Sequence, residues 1–369
     1  MESGLPSIGP RLKEEPVEPV RLGLIGCGVI GRHHIQAASE SPLVEVVAVA
    51  DRIEERVQET GNQYGVAKRY GEGLDLLDDA EVEAAILALP ACGRYELAMK
   101  GLSQGIHVII EKPIGMNASQ VEDMIAARGD LVAVCGQSRP RFAEMARQVS
   151  AYIATGALGE LRVLNCRAIV APEGPPSSPP PTWRLIRAEN GGGILMNWGC
   201  YDLDYLFGLT GWTLIPQLVL GKTWTVPATY ESYIAPGSDA ETHVAGMVVC
   251  EGGTVLHYER AEYAAARSEF MWQITGSEAS LHVHLTDTSG FTVTVDRATP
   301  DGGTMSEDLF VPVQDAESGM RQQLDDFCHA IREGFRPHTG LEEALLVQQV
   351  TDAIYASSAR GEAVRLLST

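Results

Sequence analysis

Positive charge is scarce in this sequence. Lys and Arg number 28 against 49 Asp and Glu, a formal net charge of −21. Phosphate backbones and anionic bilayers need a basic footprint, so neither nucleic acid nor a membrane surface is an expected partner. Paired cysteines are also missing. Cys27, Cys92, Cys135, Cys166, Cys200, Cys250 and Cys328 stand singly, with no Cys-x-x-Cys and no disulfide framework. They read as reduced, mostly buried thiols in a cytoplasmic protein. No apolar run reaches about 18 residues, so no membrane span is expected. The opening MESGLPSIGPRLKEEPVEPV lacks the apolar stretch of a secretory signal, and residues 1–19 read as a flexible arm. No internal repeat is visible.

What is present is an alternation. A chain of 369 residues exceeds one small core and suggests two domains. Short apolar runs at 21–26, 44–51, 84–90, 106–113 and 131–137 alternate with helical patterns. Strands spaced by helices in this way imply βαβ units and a parallel sheet, so 20–138 reads as a Rossmann-type α/β domain. After Gln137 the pattern changes. A helix at 141–160 precedes a long strand at 161–171 and a proline-rich loop, APEGPPSSPPPTW, long enough to suggest a role of its own. Alternating runs over 214–312 read as antiparallel strands, and helical patterns near 318–333 and 341–359 follow. The expectation for 139–369 is an α+β domain on a large, mostly antiparallel open sheet, its final helices free to pack back on the first domain.

Three stretches carry chemistry. In GCGVIG, Gly26, Gly28 and Gly31 follow an expected strand and open an expected helix. The first glycine allows a tight turn, the second lets backbone approach a pyrophosphate, and the third lets helix pack on strand. Asp51 ends the second strand, where an acid accepts from the adenosine ribose hydroxyls and repels a 2′-phosphate. This favours NAD over NADP, although the adjacent Arg52 would suit a phosphate. The second stretch is Glu111-Lys112-Pro113, just past a strand's carboxyl end, where open α/β sheets bind ligands. The third runs from Gly191 to Trp212. Three glycines open a mostly apolar helix on which Asn197, Tyr201 and Asp204 share one face. That stripe faces either solvent or a ligand site. His282 and His284 share a strand face but lack a third ligand, so no metal site is expected.

The ordered set, GCGVIGRHH with His33 and His34, Asp51, GIHVIIEKP, Arg141-Phe142, GALGEL, Trp183-Arg184 and GGG plus helix, resembles the glucose–fructose oxidoreductase, inositol dehydrogenase and MocA family over about 20–360. The resemblance implies a Rossmann domain followed by an open-sheet α+β domain. It also implies NAD(P), hydride transfer at a secondary hydroxyl of a sugar, glycoside or polyol, and homodimers or homotetramers through that sheet. It places cofactor contacts at Gly26, Cys27, Gly28, Val29, Ile30, Gly31, Asp51, Arg52, Leu89, Pro90, Arg94, Glu111, Lys112, Trp183 and Arg184. Substrate contacts fall at Asn197, Trp183, Arg184 and Arg141. Two positions depart from the family pattern: Asn197 stands for an aspartate and Tyr201 for a histidine, the latter a change some branches share. Arg94 replaces a frequent histidine, as a cofactor or substrate contact or as a cap of its helix.

Removing hydride from a carbinol needs a base for the hydroxyl proton. Tyrosine ionises near pH ~10, too high to serve well unless a cation lowers it. Lys112 is the candidate cation, making Tyr201 the acid/base and Lys112 its partner, with the reverse assignment open. Asn197 cannot carry the proton and reads as substrate-orienting; Asp204 reads as a supporting contact. C3 of a pyranoside is one candidate position. Two alternatives stand beside the dehydrogenase: a redox-assisted glycosidase with NAD recycled in place, and a non-catalytic dinucleotide-binding regulator.

Overall fold

The computed structural model describes residues 18–178, 181–285, 291–310 and 319–366. Most of the expected N-terminal arm, part of the proline-rich loop and residues 311–318 lie outside them. The first layer comprises β1 (Val20–Ile25), α1 (Val29–Ser39), β2 (Val44–Ala50), α2 (Glu54–Tyr64), β3 (Lys68–Tyr70), α3 (Gly73–Leu77), β4 (Ala84–Leu87), α4 (Arg94–Ser103), β5 (His107–Ile110), α5 (Ala118–Arg128) and β6 (Ala133–Cys135). The six strands are all parallel, in the order β3-β2-β1-β4-β5-β6. β1 and β4 are apolar because helices cover both faces of the sheet, leaving Leu22, Leu24, Ala84, Ala85, Ile86 and Leu87 no more than 1% exposed. The order reverses between β1 and β4, so a crevice opens at their carboxyl ends, where such sheets bind ligands.

A 3-10 stretch at Gly136–Phe142 leads into the second part: α6 (Glu144–Ala154), β7 (Leu161–Val170), α7 (Arg187–Asn190), a π-helical turn at Leu195–Gly199, α8 (Cys200–Leu209), β8 (Pro216–Trp224), β9 (His243–Cys250), β10 (Val255–Glu262), β11 (Glu269–Gly276), β12 (Ala279–Val283), β13 (Val293–Ala298), β14 (Thr304–Phe310), α9 (Gly319–Glu333), α10 (Leu341–Arg360) and β15 (Val364–Arg365). Nine strands form one sheet in the order β14-β13-β12-β11-β7-β10-β9-β8-β15. Every named pairing is antiparallel except β7 with β10. One face carries the core, in which Leu164, Val219, Val244, Val248 and Ile274 meet Leu203, Leu206 and Phe207 of α8. α8 is buried almost all round because it lies between this sheet and the Rossmann layer, which explains its mostly apolar sequence and the burial of Asp202 and Asp204.

The last two long helices return to the first layer. Leu324, Phe327 and Cys328 of α9 complete the core around Leu22, Leu24 and Ile35, and Leu341 and Ala344 of α10 pack with Ile110 and Val121. Arg332 of α9 pairs with Glu83 at 2.8 Å, and Asp352 of α10 accepts from the Ala118 amide at 2.7 Å, at the start of α5. The two parts are thereby held around one cleft, with Lys112 on one wall and α8 on the other. No helix among the described residues is long and apolar enough to cross a membrane.

Candidate active site

The glycine loop follows β1 at the crevice. Gly26 has φ +100°, and a Cβ there would lie 2.3 Å from the Ala88 carbonyl oxygen, so the turn requires glycine. A Cβ on Gly31 would lie 1.8 Å from the Gly26 oxygen, which fixes the close approach of α1 to the loop. At Gly28 the added atom would meet only Arg56 Nη1, at 3.9 Å. Space is therefore open over the amino end of α1, where no side chain caps the helix and its first turn holds no acid. Open N–H groups and the positive end of the helix fit a pyrophosphate. Val29 is exposed and Ile30 half-buried beside this opening. Asp51 accepts from Cys27 N at 2.8 Å and from Ile53 N at 2.9 Å, tying the end of β2 to the glycine loop. Arg52 turns outward and pairs with Glu72 at 3.1 Å. Leu89 and Pro90 edge the same crevice past β4, both half-buried. This cradle, with an acid at the second strand's end, fits an NAD-type dinucleotide.

Glu111, past β5, is 1% exposed and both of its oxygens are taken. One accepts from His34 Nε2 at 2.8 Å and from Arg139 Nη1; the other accepts from the Lys112 amide at 2.9 Å. Burial alone would push this carboxyl up, but the Arg139 charge and the His34 hydrogen bond hold it well below its usual range. Burial lowers His34, leaving a neutral ring that donates to the carboxylate. Glu111 is thus a buried anchor for the loop and for Arg139, and the cofactor contact expected at this position stays a proposal. Arg94 is tied down in the same way. It is 4% exposed, and its guanidinium is consumed by the carbonyls of Leu89, Glu111 and Pro113, binding the two ligand-side loops together from below.

Lys112 crosses the cleft. Its Nζ donates to Asn197 O at 2.9 Å and to Asn197 Oδ1 at 2.8 Å, leaving one of its three donor positions free. It also lies 5.1 Å from the Tyr201 ring centroid. Burial lowers the ammonium, and Arg139 and Arg94 add to the shift against the pull of Glu111. The Tyr201 hydroxyl does not meet Lys112; it accepts from Arg139 Nη2. Burial pushes the phenol up, and the Arg139 charge offsets this only in part.

The polar stripe on the third stretch therefore faces Lys112 and the 3-10 stretch Gly136–Phe142 rather than water. Asn197 holds Lys112, Tyr201 meets Arg139, and Asp204, 1% exposed, accepts from Arg141 Nε at 2.7 Å and Gln137 Nε2 at 3.3 Å. Arg141 also stacks on Trp212 at 5.2 Å, so it braces the packing of α8, and the substrate contact expected of it stays a proposal. Arg184 is paired with Glu262 at the end of β10, and Trp183 sits half-buried next to it in the turn Thr182–Leu185. The three glycines have a packing cause: a Cβ on Gly193 would lie 1.8 Å from Glu241 O, and the buried Glu241 carboxylate caps the turn by accepting from the amides of Gly193 and Leu195.

Two participants escape a sequence reading. Arg139 stands two residues before the arginine chosen above; its signal was a second cation just past the carboxyl end of β6. Trp198, next to Asn197, was counted among the apolar residues, yet it is 38% exposed and its ring centroid lies 5.6 Å from that of Tyr201. His282 pairs with Asp296 at 2.9 Å, and His284 packs on Phe291.

Known proteins show the same two-part pattern. Residues 20–136 match the oxidoreductase family with an NAD-binding Rossmann fold, and residues 146–282 match the GFO/IDH/MocA C-terminal domain. The chain belongs to this family of oxidoreductases. The rhizopine catabolism protein MocA of Rhizobium meliloti is 32% identical over 194 residues, 52% of this chain and 57% of that protein. A D-xylose 1-dehydrogenase (NADP(+)) of Haloferax volcanii is 23% identical over 93% of this chain and 99% of its own length. Among solved structures, levoglucosan dehydrogenase in complex with NADH and levoglucosan superposes with a TM-score of 0.81 at 21% identity, covering 94% of this chain and 99% of that one. That likeness shows the fold. The names of these relatives give no support to glycoside cleavage or to a regulatory role.

Proposed function

We propose that this protein is an NAD-dependent dehydrogenase acting on a secondary hydroxyl of a sugar, glycoside or polyol. The observation that carries the reading is the Lys112 ammonium, fixed on Asn197 at the carboxyl end of β5, beside the open cradle over Gly28. The dinucleotide, when bound, would supply the hydride acceptor; Gly26, Gly28 and Gly31 would receive its diphosphate and Asp51 its adenosine ribose. Asp51, together with the pairing of Arg52 to Glu72, supports NAD over NADP. Trp183, Arg184, Leu89 and Pro90 remain proposed contacts at the rim.

Lys112 is the better proton carrier of the pair. Burial lowers the pKa of its ammonium, while burial moves Tyr201 further up. The free position on Nζ would take the substrate hydroxyl proton, and Asn197 would hold the amine in register. Tyr201, pinned by Arg139, would orient the same hydroxyl through its phenol oxygen. The seven unpaired cysteines, six of them buried, support a reducing, cytoplasmic setting. The open face of the nine-stranded sheet, where Leu220 and Trp224 are each 46% exposed, supports a homo-oligomer through that face; a monomer by light scattering would overturn it.

The test is to supply purified protein with NAD or NADP and a panel of aldopyranoses, methyl glycosides and polyols, and to follow reduced nicotinamide. Formation of NADH with at least one of them is the expected result, and the product's carbonyl is then located by NMR, C3 first. Failure with every alcohol would overturn the reading.

A further inference from the structure

An aromatic surface borders the proton-carrying group. Trp198 lies in the π-helical turn Leu195–Gly199, a distortion that recurs at functional sites because the extra residue re-aims its neighbours. The indole is 38% exposed, although large aromatic side chains are usually covered. It is not loosely placed. The Arg260 guanidinium lies 4.7 Å from its ring centroid, and Tyr201 lies at 5.6 Å with the planes tilted by 54°. Arg260 is itself immobilised: Nη1 donates to both oxygens of Asp202 at 2.7 and 2.6 Å, and that carboxylate, fully buried, also accepts from Trp272 Nε1 and the Tyr258 hydroxyl, each at 3.1 Å. A buried four-residue network therefore sets the plane of one half-exposed ring. The Lys112 ammonium lies 6.0 Å from the centroid of that ring.

We infer that Trp198 is a stacking platform for the substrate's ring, and that it selects cyclic pyranoses and pyranosides over acyclic polyols. This rests on the dehydrogenase reading above. The chemistry is that of flat surfaces. A pyranose presents a fixed face of C–H bonds that covers an indole without leaving polar groups unpaired, while its hydroxyls point outward to hydrogen-bonding partners. An acyclic polyol has no such face and loses rotamer freedom to form one. With the ring seated on Trp198, a secondary hydroxyl at its edge is within the reach of Lys112 and Tyr201, which flank the indole. Trp198 contributes binding and selection, and no proton passes through it.

The test uses the full protein loaded with NADH, titrated calorimetrically with D-glucose, D-galactose and D-xylose, with methyl α- and β-D-glucopyranoside, and with sorbitol. Rates of NAD reduction are measured in parallel. Wild type should bind at least one pyranose more tightly than sorbitol, and the free sugars against the methyl glycosides show which source of the ring it takes. Trp198→Ala should weaken the pyranose about tenfold or more and sorbitol less than about threefold, while Trp198→Phe, which keeps a flat face, should remain within about threefold of wild type. The inference is overturned if wild type binds no pyranose, if Trp198→Ala binds it as wild type does, or if ring and chain weaken alike. An enzyme that binds pyranoses through Trp198 yet reduces no NAD overturns the dehydrogenase reading and leaves this inference standing.

Discussion

Arg139 donates to the Tyr201 hydroxyl, and Lys112 lies against the face of the same ring, 5.1 Å from its centroid. The two cations thus divide one phenol: one donates to its oxygen and the other lies over its ring. Burial lowers the pKa of Lys112 and raises that of Tyr201, a rise that the Arg139 charge offsets only in part.

Lys112→Ala should lower turnover by about 10²–10⁴, the usual contribution of a positioned acid or base, while NADH still binds. The base form of Lys112 is the neutral amine, so alcohol oxidation by wild type should rise with pH and level off below the ordinary lysine range. Tyr201→Phe should lose less and should keep that rising limb. Rate–pH profiles of the three proteins check the assignment; a limb that survives in Lys112→Ala and vanishes in Tyr201→Phe would return the proton to the phenol.

The Glu111 carboxylate makes a second prediction, about stability. Its folded pKa is depressed, so it contributes stability above its unfolded value near ~4.3, lost as pH falls through the folded one. Arg139→Gln removes its principal charge partner and leaves a buried anion, which should cost about 3–5 kcal/mol at neutral pH. Burial then pushes the carboxyl up, so the sign reverses and the variant's penalty shrinks in acid. Urea unfolding at neutral pH and near pH ~4 should show the gap between the two proteins narrowing. A constant gap would mean that Arg139 acts by packing alone.

Asp51 holds the glycine loop, its two oxygens accepting from the amides of Cys27 and Ile53, and is the residue proposed above to favour NAD. Asp51→Ala should raise KM for NAD about ten- to hundredfold, the worth of a lost charge-assisted hydrogen bond, and narrow the preference over NADP. Arg52→Ala should leave KM for NAD within about twofold, since its partner is Glu72 on an exposed surface. Initial rates with both cofactors decide this, and a larger loss in Arg52→Ala than in Asp51→Ala would reverse the roles.

Much of this architecture was legible in the chain, for physical reasons. Parallel strands covered on both faces must be continuous apolar runs, so 46–50, past the exposed Glu45, and Ala84–Leu87 declare themselves. The glycine loop is local in sequence, as is Lys112 at a strand end. β3 was not legible, being three residues, Lys68–Tyr70, with no period to read. Nor was the π turn, since no residue type marks it. The charge partners were hidden for another reason. Arg139 reaches Glu111 across 28 positions and Arg260 reaches Asp202 across 58, and nothing in either segment names its partner. The polar stripe of α8 could be read as a face but not assigned to a wall, because that depends on how the two sheets meet.

Asp202 and Arg260 supply the last prediction, which separates the seat of Trp198 from general stability. Both are nearly inaccessible, at 0% and 5% exposure, and the ion pair is bidentate through one nitrogen. Arg260→Met should destabilise by about 3–5 kcal/mol, because it strands a buried carboxylate rather than because the pair itself is strongly favourable. Asp202→Asn in the same chain removes the stranded charge, keeps one oxygen to accept from Trp272 Nε1, and turns an amide N–H toward the Tyr258 hydroxyl, which can accept it, so the double variant should recover much of the loss. Its indole would then lack the guanidinium behind it. Chemical unfolding should therefore show near-recovery in the double variant while pyranose affinity stays weakened; full recovery of both would show that Arg260 stabilises the fold without setting the plane of Trp198.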